Sequence, residues 1–167
     1  MVSAEEDVLL DLLNSTPIVD GVRQDRLADP EEARDWLREH GGTGSAEERR
    51  TVRDVRATLQ AIVRGERTAE TLGPYLDGVS YVPALSPQAL GWTLRTPRER
   101  ELAVRAILTW SELDKTGPGR LKPCANDECR LFLLDRSKAG NARWCSMTTC
   151  GNRMKARRHY QRAAHRA

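Results

Sequence analysis

Apolar residues recur at helical spacing through most of the first 116 positions, and recognisable cap residues mark the breaks. Val8, Leu9, Leu12 and Leu13 share one helical face, which ends near Thr16-Pro17, where proline disfavours continuation. Asp29-Pro30-Glu31-Glu32 predicts the start of a second helix: Asp can cap, Pro suits the first turn, and Glu32 stands at the capping-box position. Its stripe is Ala33, Trp36 and Leu37, and Gly41-Gly42 ends it. His40 falls in its last turn, where a cation complements the helix dipole, and is read as a capping residue. Ser45 to Glu48 repeats the cap, and Val52, Val55, Leu59, Ile62 and Val63 carry a third helix to Gly65. Thr68 opens a shorter one with Leu72, Tyr75 and Leu76.

Between residues 79 and 94 the texture changes. Tyr81-Val82 and Trp92-Thr93-Leu94, separated by Pro83 and Ser86-Pro87, read as two short strands around a turn, with the prolines confined to edges. Thr96-Pro97-Arg98-Glu99 predicts a strong N-cap. Leu102, Ala103, Ala106, Ile107, Trp110 and Leu113 then form the most regular helical stripe. Thr116-Gly117-Pro118-Gly119 is a cluster of breakers, and divides the chain into a mainly helical unit, 1–118, and a smaller one, 119–167. The aromatics Trp36, Tyr75, Trp92 and Trp110 are expected in the core of the first unit, whose apolar surface could serve dimerisation or small-molecule sensing.

Charge sharpens this division. Residues 120–167 carry 12 basic and 3 acidic side chains, whereas residues 1–119 carry 15 and 21. The tail is thus strongly basic and the body acidic, a pattern that suits a polyanionic partner. No apolar run is long enough to span a membrane. The acidic start, Glu5-Glu6-Asp7, lacks the form of a secretion signal, so a cytoplasmic setting with reduced thiols is expected.

All four cysteines fall in the basic tail. Cys124 and Cys129, then Cys145 and Cys150, form two close pairs separated by a loop, as one tetrahedral four-thiolate site requires. Zinc is the expected ion, single and structural. Two disulfides or an iron–sulfur cluster are the alternatives, and the former need an oxidising compartment. Leu131-Phe132-Leu133-Leu134 suits a strand behind the metal, and Gly151 leaves room beside a ligand. His159 and His165 are rival ligands by type, but four cysteines already complete a site. With four sulfurs no coordination position is left for substrate. No nucleophile elbow, phosphate loop or histidine pair appears elsewhere, so no enzyme is expected.

From Asn152 to Arg166 the chain has no helix breaker. Arg153 and Arg157 share one helical face, and Lys155, Arg158 and Arg162 cluster on the next. Such a helix fits the DNA major groove, where arginine can read guanine, Asn152 and Gln161 can contact adenine, and lysine holds phosphate. In the preceding loop, Arg136, Lys138, Arg143 and Trp144 could grip phosphates or stack on a base. The rival reading lays this basic helix on the acidic body, and makes Trp144 part of a small core.

These residues resemble the CGNR zinc finger family of bacterial proteins. The resemblance rests on Cys150-Gly151-Asn152-Arg153, the Cys124 and Cys129 pair, Leu131-Phe132, Asp135-Arg136-Ser137, Arg143-Trp144-Cys145-Ser146-Met147 and Lys155-Ala156-Arg157. It departs at Leu133-Leu134, where a shorter aromatic–acid junction is expected. Leu12-Leu13-Asn14-Ser15-Thr16 and the helical layout resemble the ABATE domain that usually precedes this finger. The resemblance implies a stress-related transcription regulator whose finger binds nucleic acid. The expected fold is mainly α with a small β element: a helical N-terminal domain, then a treble-clef or ribbon-like finger ending in the basic helix. DNA is the expected partner. RNA binding, or a zinc-stabilised protein-interaction module, is the alternative, and a homodimer is compatible with either.

Overall fold

The stripes become helices that meet in one core. The computed structural model describes residues 4–164, with the side chains of 158–160 and 162–164 outside the description. Helix α1 (Ala4–Leu13) buries Leu9, Leu12 and Leu13, and α2 (Pro30–Glu39) buries Ala33, Trp36 and Leu37. Helix α3 (Ala46–Val63) contributes Val52, Val55 and Leu59. A short 3-10 turn, Ala69–Leu72, leads into α4 (Gly73–Leu76). Helix α5 (Arg98–Thr116) packs along α3 and α1 through Leu102, Ala103, Ala106 and Ile107. No helix among the described residues is long and apolar enough to cross a membrane.

The caps test the sequence reading locally. Asp29 accepts from the backbone N–H of Glu31 and Glu32 at 2.9 and 3.0 Å, and Ser45 accepts from Glu48 at 3.1 Å. His40 is the α2 C-cap; its Nδ1 lies 2.7 Å from the Trp36 carbonyl and its ring stacks on that indole. The predicted cap of α5 fails. The helix starts at Arg98, so Pro97 occupies the cap position without a side-chain bond, and the buried Thr96 hydroxyl finds no partner among the described residues.

Beyond α1 the chain turns through a buried polar belt. Gln60 donates to the Leu13 carbonyl at 2.7 Å and to Thr16 Oγ1 at 2.9 Å. Arg56, almost fully buried, donates to Ser15 Oγ at 2.8 Å and grips the Asp25 carboxylate at 2.7 and 2.8 Å. Burial alone would raise the Asp25 carboxyl. Hydrogen bonds from Arg56 and Leu27, with the charges of Arg56 and Arg53, outweigh it and hold the group below its ordinary value.

Three two-stranded antiparallel hairpins complete the architecture, more β structure than the pattern announced. The first, β1 (Ile18–Val19) with β2 (Val22–Arg23), turns through Asp20-Gly21 at φ of 51° and 77°. Asp-Gly between β-branched residues is a hairpin signal that the helical reading passed over. The second joins β3 (Ser80–Leu85) to β4 (Leu90–Arg95). Trp36 is buried and Tyr75 and Trp110 pack on the core, but Trp92 is exposed on β4. Its expected core position is thereby corrected: it lies on a hairpin that no helix covers. The third hairpin, β5 (Leu121–Pro123) with β6 (Phe132–Leu134), follows the Gly117-Pro118-Gly119 turn, yet Phe132 enters the same core as α1 and α3.

Replacing Asp25 by Asn should leave Arg56 buried without a counter-charge and cost about 3 kcal/mol, measured by denaturant unfolding. Because the Asp25 pKa is depressed in the fold, its stabilisation is complete above the unfolded value near 3.9 and is lost as pH falls below it. The Asn variant should show less acid sensitivity across that window.

Candidate metal centre

Cys124 directly follows β5, and its N–H extends the ladder to the Leu131 carbonyl at 2.9 Å. The chain then reverses tightly, with Cys129 N–H donating to the Asn126 carbonyl at 2.8 Å. Asn126 is fully buried at the centre of this knuckle. Its Oδ1 accepts from Glu128 N–H at 3.3 Å, and its Nδ2 points at Cys150 Sγ at 3.5 Å. The knuckle cannot swing freely, because Asn14 at the end of α1 brackets Phe132. Phe132 N–H donates to Asn14 Oδ1 at 2.7 Å, and Asn14 Nδ2 donates to the Phe132 carbonyl at 3.1 Å.

The second pair sits on a widened helical turn, Met147–Gly151, that continues into α6 (Asn152–Ala164). Ser146 caps it, accepting from Thr149 N–H at 3.4 Å. Gly151 lets the Met147 and Trp144 side chains close over this turn. A Cβ there would meet the Met147 Sδ and Cε at 2.9 Å and Trp144 Cδ1 at 3.3 Å. Trp144 is therefore half-buried against this turn, with the Arg143 guanidinium 5.2 Å above its ring.

A buried carboxylate sets the loop between the pairs. Asp135 accepts from Ser137 Oγ at 2.6 Å, Ser137 N–H at 3.0 Å, Ala142 N–H at 2.8 Å and Lys122 Nζ at 2.9 Å. The Ser137 hydroxyl and Lys122 are the main reasons its pKa lies far below the usual carboxylate range. Ala125 N–H donates to the Arg143 carbonyl at 2.8 Å and joins this loop to the knuckle.

These constraints bring four sulfurs within 4.8 Å of one another. Cys129 to Cys145 and Cys145 to Cys150 are both 3.7 Å apart. Thiolates about 2.3 Å from one tetrahedral ion stand about 3.8 Å apart, whereas a disulfide needs about 2.05 Å. All four cysteines are free. Geometry thus fits a metal and excludes the disulfide alternative. Cys145 N–H donates to Cys124 Sγ at 3.4 Å, a bond that favours the thiolate. Burial first, then neighbouring thiols, pushes Cys129 up to about 11 and Cys145 higher still. At Cys150 burial acts in the same sense, but the Asn126 amide and adjacent thiols outweigh it and lower the value. Three or four thiolates crowded this way need a cation to coexist.

Two family models match the chain: "Putative stress-induced transcription regulator", ABATE, over residues 6–132, and the CGNR zinc finger over residues 120–163. The chain belongs to the ABATE family. It carries a CGNR zinc finger at its C-terminal end. The two matches overlap across the knuckle, the segment that the ABATE core holds through Phe132. No curated protein matches the chain.

The basic residues of the CGNR finger divide into paired and free. Arg136 reaches back to α1, 3.0 Å from Asp7 and 3.4 Å from Glu6. Arg157 pairs with Asp127 and Glu128 on the knuckle. Lys138, Arg153 and Lys155 are exposed and make no ion pair among the described residues, and Arg143 is exposed over Trp144. Asn152 donates to the Thr148 carbonyl at 3.3 Å. Arg158 and Arg162, with the rival ligands His159 and His165, lie outside the described side chains. Between the β1–β2 turn and the cysteines runs a cleft of about 660 Å³, lined by Ile18, Asp20, Arg130, Cys129, Cys145 and Arg153. Asn14, Asn126 and Asp135 are the supporting residues the motif reading did not single out for a role. Asn and Asp beside ligands or strand ends are the available signal.

Cobalt substitution should give thiolate-to-metal absorption and the intense visible bands of a tetrahedral ion, and Cys145→Ser should abolish both. Asp135→Asn should retain the metal but speed amide exchange at Ser137 and Ala142 and lower Tm. The ionised carboxylate stabilises above its unfolded pKa near 3.9 and ceases to as pH falls toward its depressed folded value.

Proposed function

We propose that this ABATE protein is a transcription regulator that binds one structural zinc and engages DNA through its finger. The observation that carries this reading is the free basic group at the start of α6. Arg153 and Lys155 follow the metal-fixed turn directly, with Lys138 and Arg143 on the neighbouring loop, and no acidic side chain among the described residues pairs with them. Because the preceding turn already engages the backbone N–H groups at the start of α6, the side chains themselves supply the positive charge that favours phosphate oxygens. Zinc, held by Cys124, Cys129, Cys145 and Cys150, supplies a cross-link between knuckle and helix. A four-thiolate shell leaves no open position, so the finger's role is recognition rather than catalysis. In this reading hairpin, turn and helix form a treble-clef-like finger, and the ABATE body sets its orientation.

RNA is the second reading. The Arg143–Trp144 pair favours it, since an indole with a guanidinium above it is a platform for an unstacked base.

The test is titration of duplex DNA, structured RNA and heparin over a range of salt. Duplex DNA should bind selectively, with log K falling steeply as log salt rises. Lys155→Ala should weaken binding at all sequences and reduce the salt slope by about 1, with Tm unchanged. Arg157→Ala should cost little binding, because its charge is already engaged by Asp127 and Glu128. Tighter binding of RNA would transfer the function to the second reading. Equal, weak binding to all three polymers would refute both.

A further inference from the structure

The β3–β4 hairpin has a face with no partner among the described residues. Its register pairs Tyr81 with Leu94, Pro83 with Trp92, and Leu85 with Leu90, which places all six on one side. The opposite side holds Ser80 with Arg95, Val82 with Thr93, and Ala84 with Gly91. No residue of either strand is buried. On the apolar side Tyr81 is 52% exposed, Leu85 87%, Leu90 58% and Trp92 64%. An isolated two-stranded hairpin is marginal in water and is stabilised by the addition of further strands.

The two edges differ in their capacity to add a strand. Ser86 N–H donates to the Ala89 carbonyl at 2.9 Å, so that pair bonds inward. Alternation then turns the N–H and C=O groups of the pairs 85/90, 83/92 and 81/94 outward. On β3 the middle outward position is Pro83, which has no N–H to offer. On β4 the outward positions are Leu90, Trp92 and Leu94, all with donors intact, and no charged residue precedes Arg95. One edge is blocked, and the other lacks the charges that ordinarily protect an edge strand.

We propose that β4 pairs antiparallel with β4 of a second copy of this chain, about a two-fold axis beside Trp92. That register opposes Trp92 to its symmetry mate and Leu90 to Leu94 of the second copy. It satisfies every outward group of β4 with about six hydrogen bonds and joins two apolar faces into one. The match is self-complementary, and Pro83 on each outer edge stops the sheet at four strands, so the assembly closes as a dimer. The inference uses no residue of the finger and stands apart from the nucleic-acid reading.

The experiment is sedimentation of the whole chain, metal-loaded, from about 1 to 100 μM, which reads dissociation constants in that range, combined with hydrogen exchange. The wild type should be a dimer with slow exchange at Leu90, Trp92 and Leu94. Trp92→Lys, which puts a charge at the centre of the edge, should weaken association at least about 100-fold and release those amides, with the helical circular dichroism unchanged. Val22→Lys, on the other exposed hairpin, should leave the dimer intact and serves as the control. A monomeric wild type at every concentration would overturn the proposal. So would a dimer insensitive to Trp92→Lys, or protection of β4 that appears only when DNA or another macromolecule is added.

Discussion

The clamp between Asn14 and Phe132 decides how the two parts of this protein relate. One side-chain amide takes both backbone groups of Phe132, while the ring enters the body's core beneath the Arg64 guanidinium, 4.5 Å from its centroid. Leaving either backbone group buried and unpaired would cost on the order of 1–3 kcal/mol, so the β5–β6 hairpin is held where α1 ends. Cys124 and Cys129 inherit that position. The finger is consequently built outward in steps: body, knuckle, metal, then α6. Loss of a metal from the four sulfurs would loosen the last step, leaving the knuckle joined to that segment by the Ala125–Arg143 hydrogen bond and the Arg157 ion pairs. It does not free the knuckle, which the body holds by packing and hydrogen bonds. The overlap of the two family matches at residues 120–132 has the same physical content.

Charge is handled by a similar division. The excess of basic residues after position 120 is partly neutralised inside the molecule, by Glu6 and Asp7 for Arg136, by Asp135 for Lys122, and by the knuckle acids for Arg157. The rival reading lays the C-terminal helix on the acidic body; the loop residue Arg136 reaches that body, whereas Arg157 of the helix pairs with the knuckle. Among the described residues after position 120, Arg130, Lys138, Arg143, Arg153 and Lys155 remain exposed without an ion pair, and the last four cluster in sequence around the second cysteine pair. Exposed pairs such as Arg136 with Asp7 contribute little stability. Their effect is to restrict which cations stay available to a polyanion.

Helix stripes and the cysteine spacing were legible because each depends on local periodicity. Leu9, Leu12 and Leu13, or Val52, Val55 and Leu59, are buried as their spacing requires. What was not legible depends on contacts distant in the chain. Nothing near Asn14 announces that its partner is 118 positions away, and Asp135 reads as an ordinary loop acid until Lys122 and Ala142 converge on it. The Thr96 cap failed for the opposite reason. A local motif matched, but the helix began one residue late and left the hydroxyl unused. Trp92 was misplaced because an apolar residue in an amphipathic strand implies a covered face, and no segment of the described chain supplies the cover.

That uncovered face bears on the finger through symmetry. In the proposed hairpin dimer a two-fold axis passes beside Trp92, and every residue of one copy has a counterpart rotated by half a turn. The clamp at Phe132 carries the same symmetry to the knuckles, so the two fingers present their free cations as a related pair. A duplex has its own local two-fold axes, and a symmetric protein matches them with half-sites in inverted order. Helix α5 separates hairpin and finger in sequence. Their relation would be geometric, with the body acting as the spacer that sets the distance between half-sites.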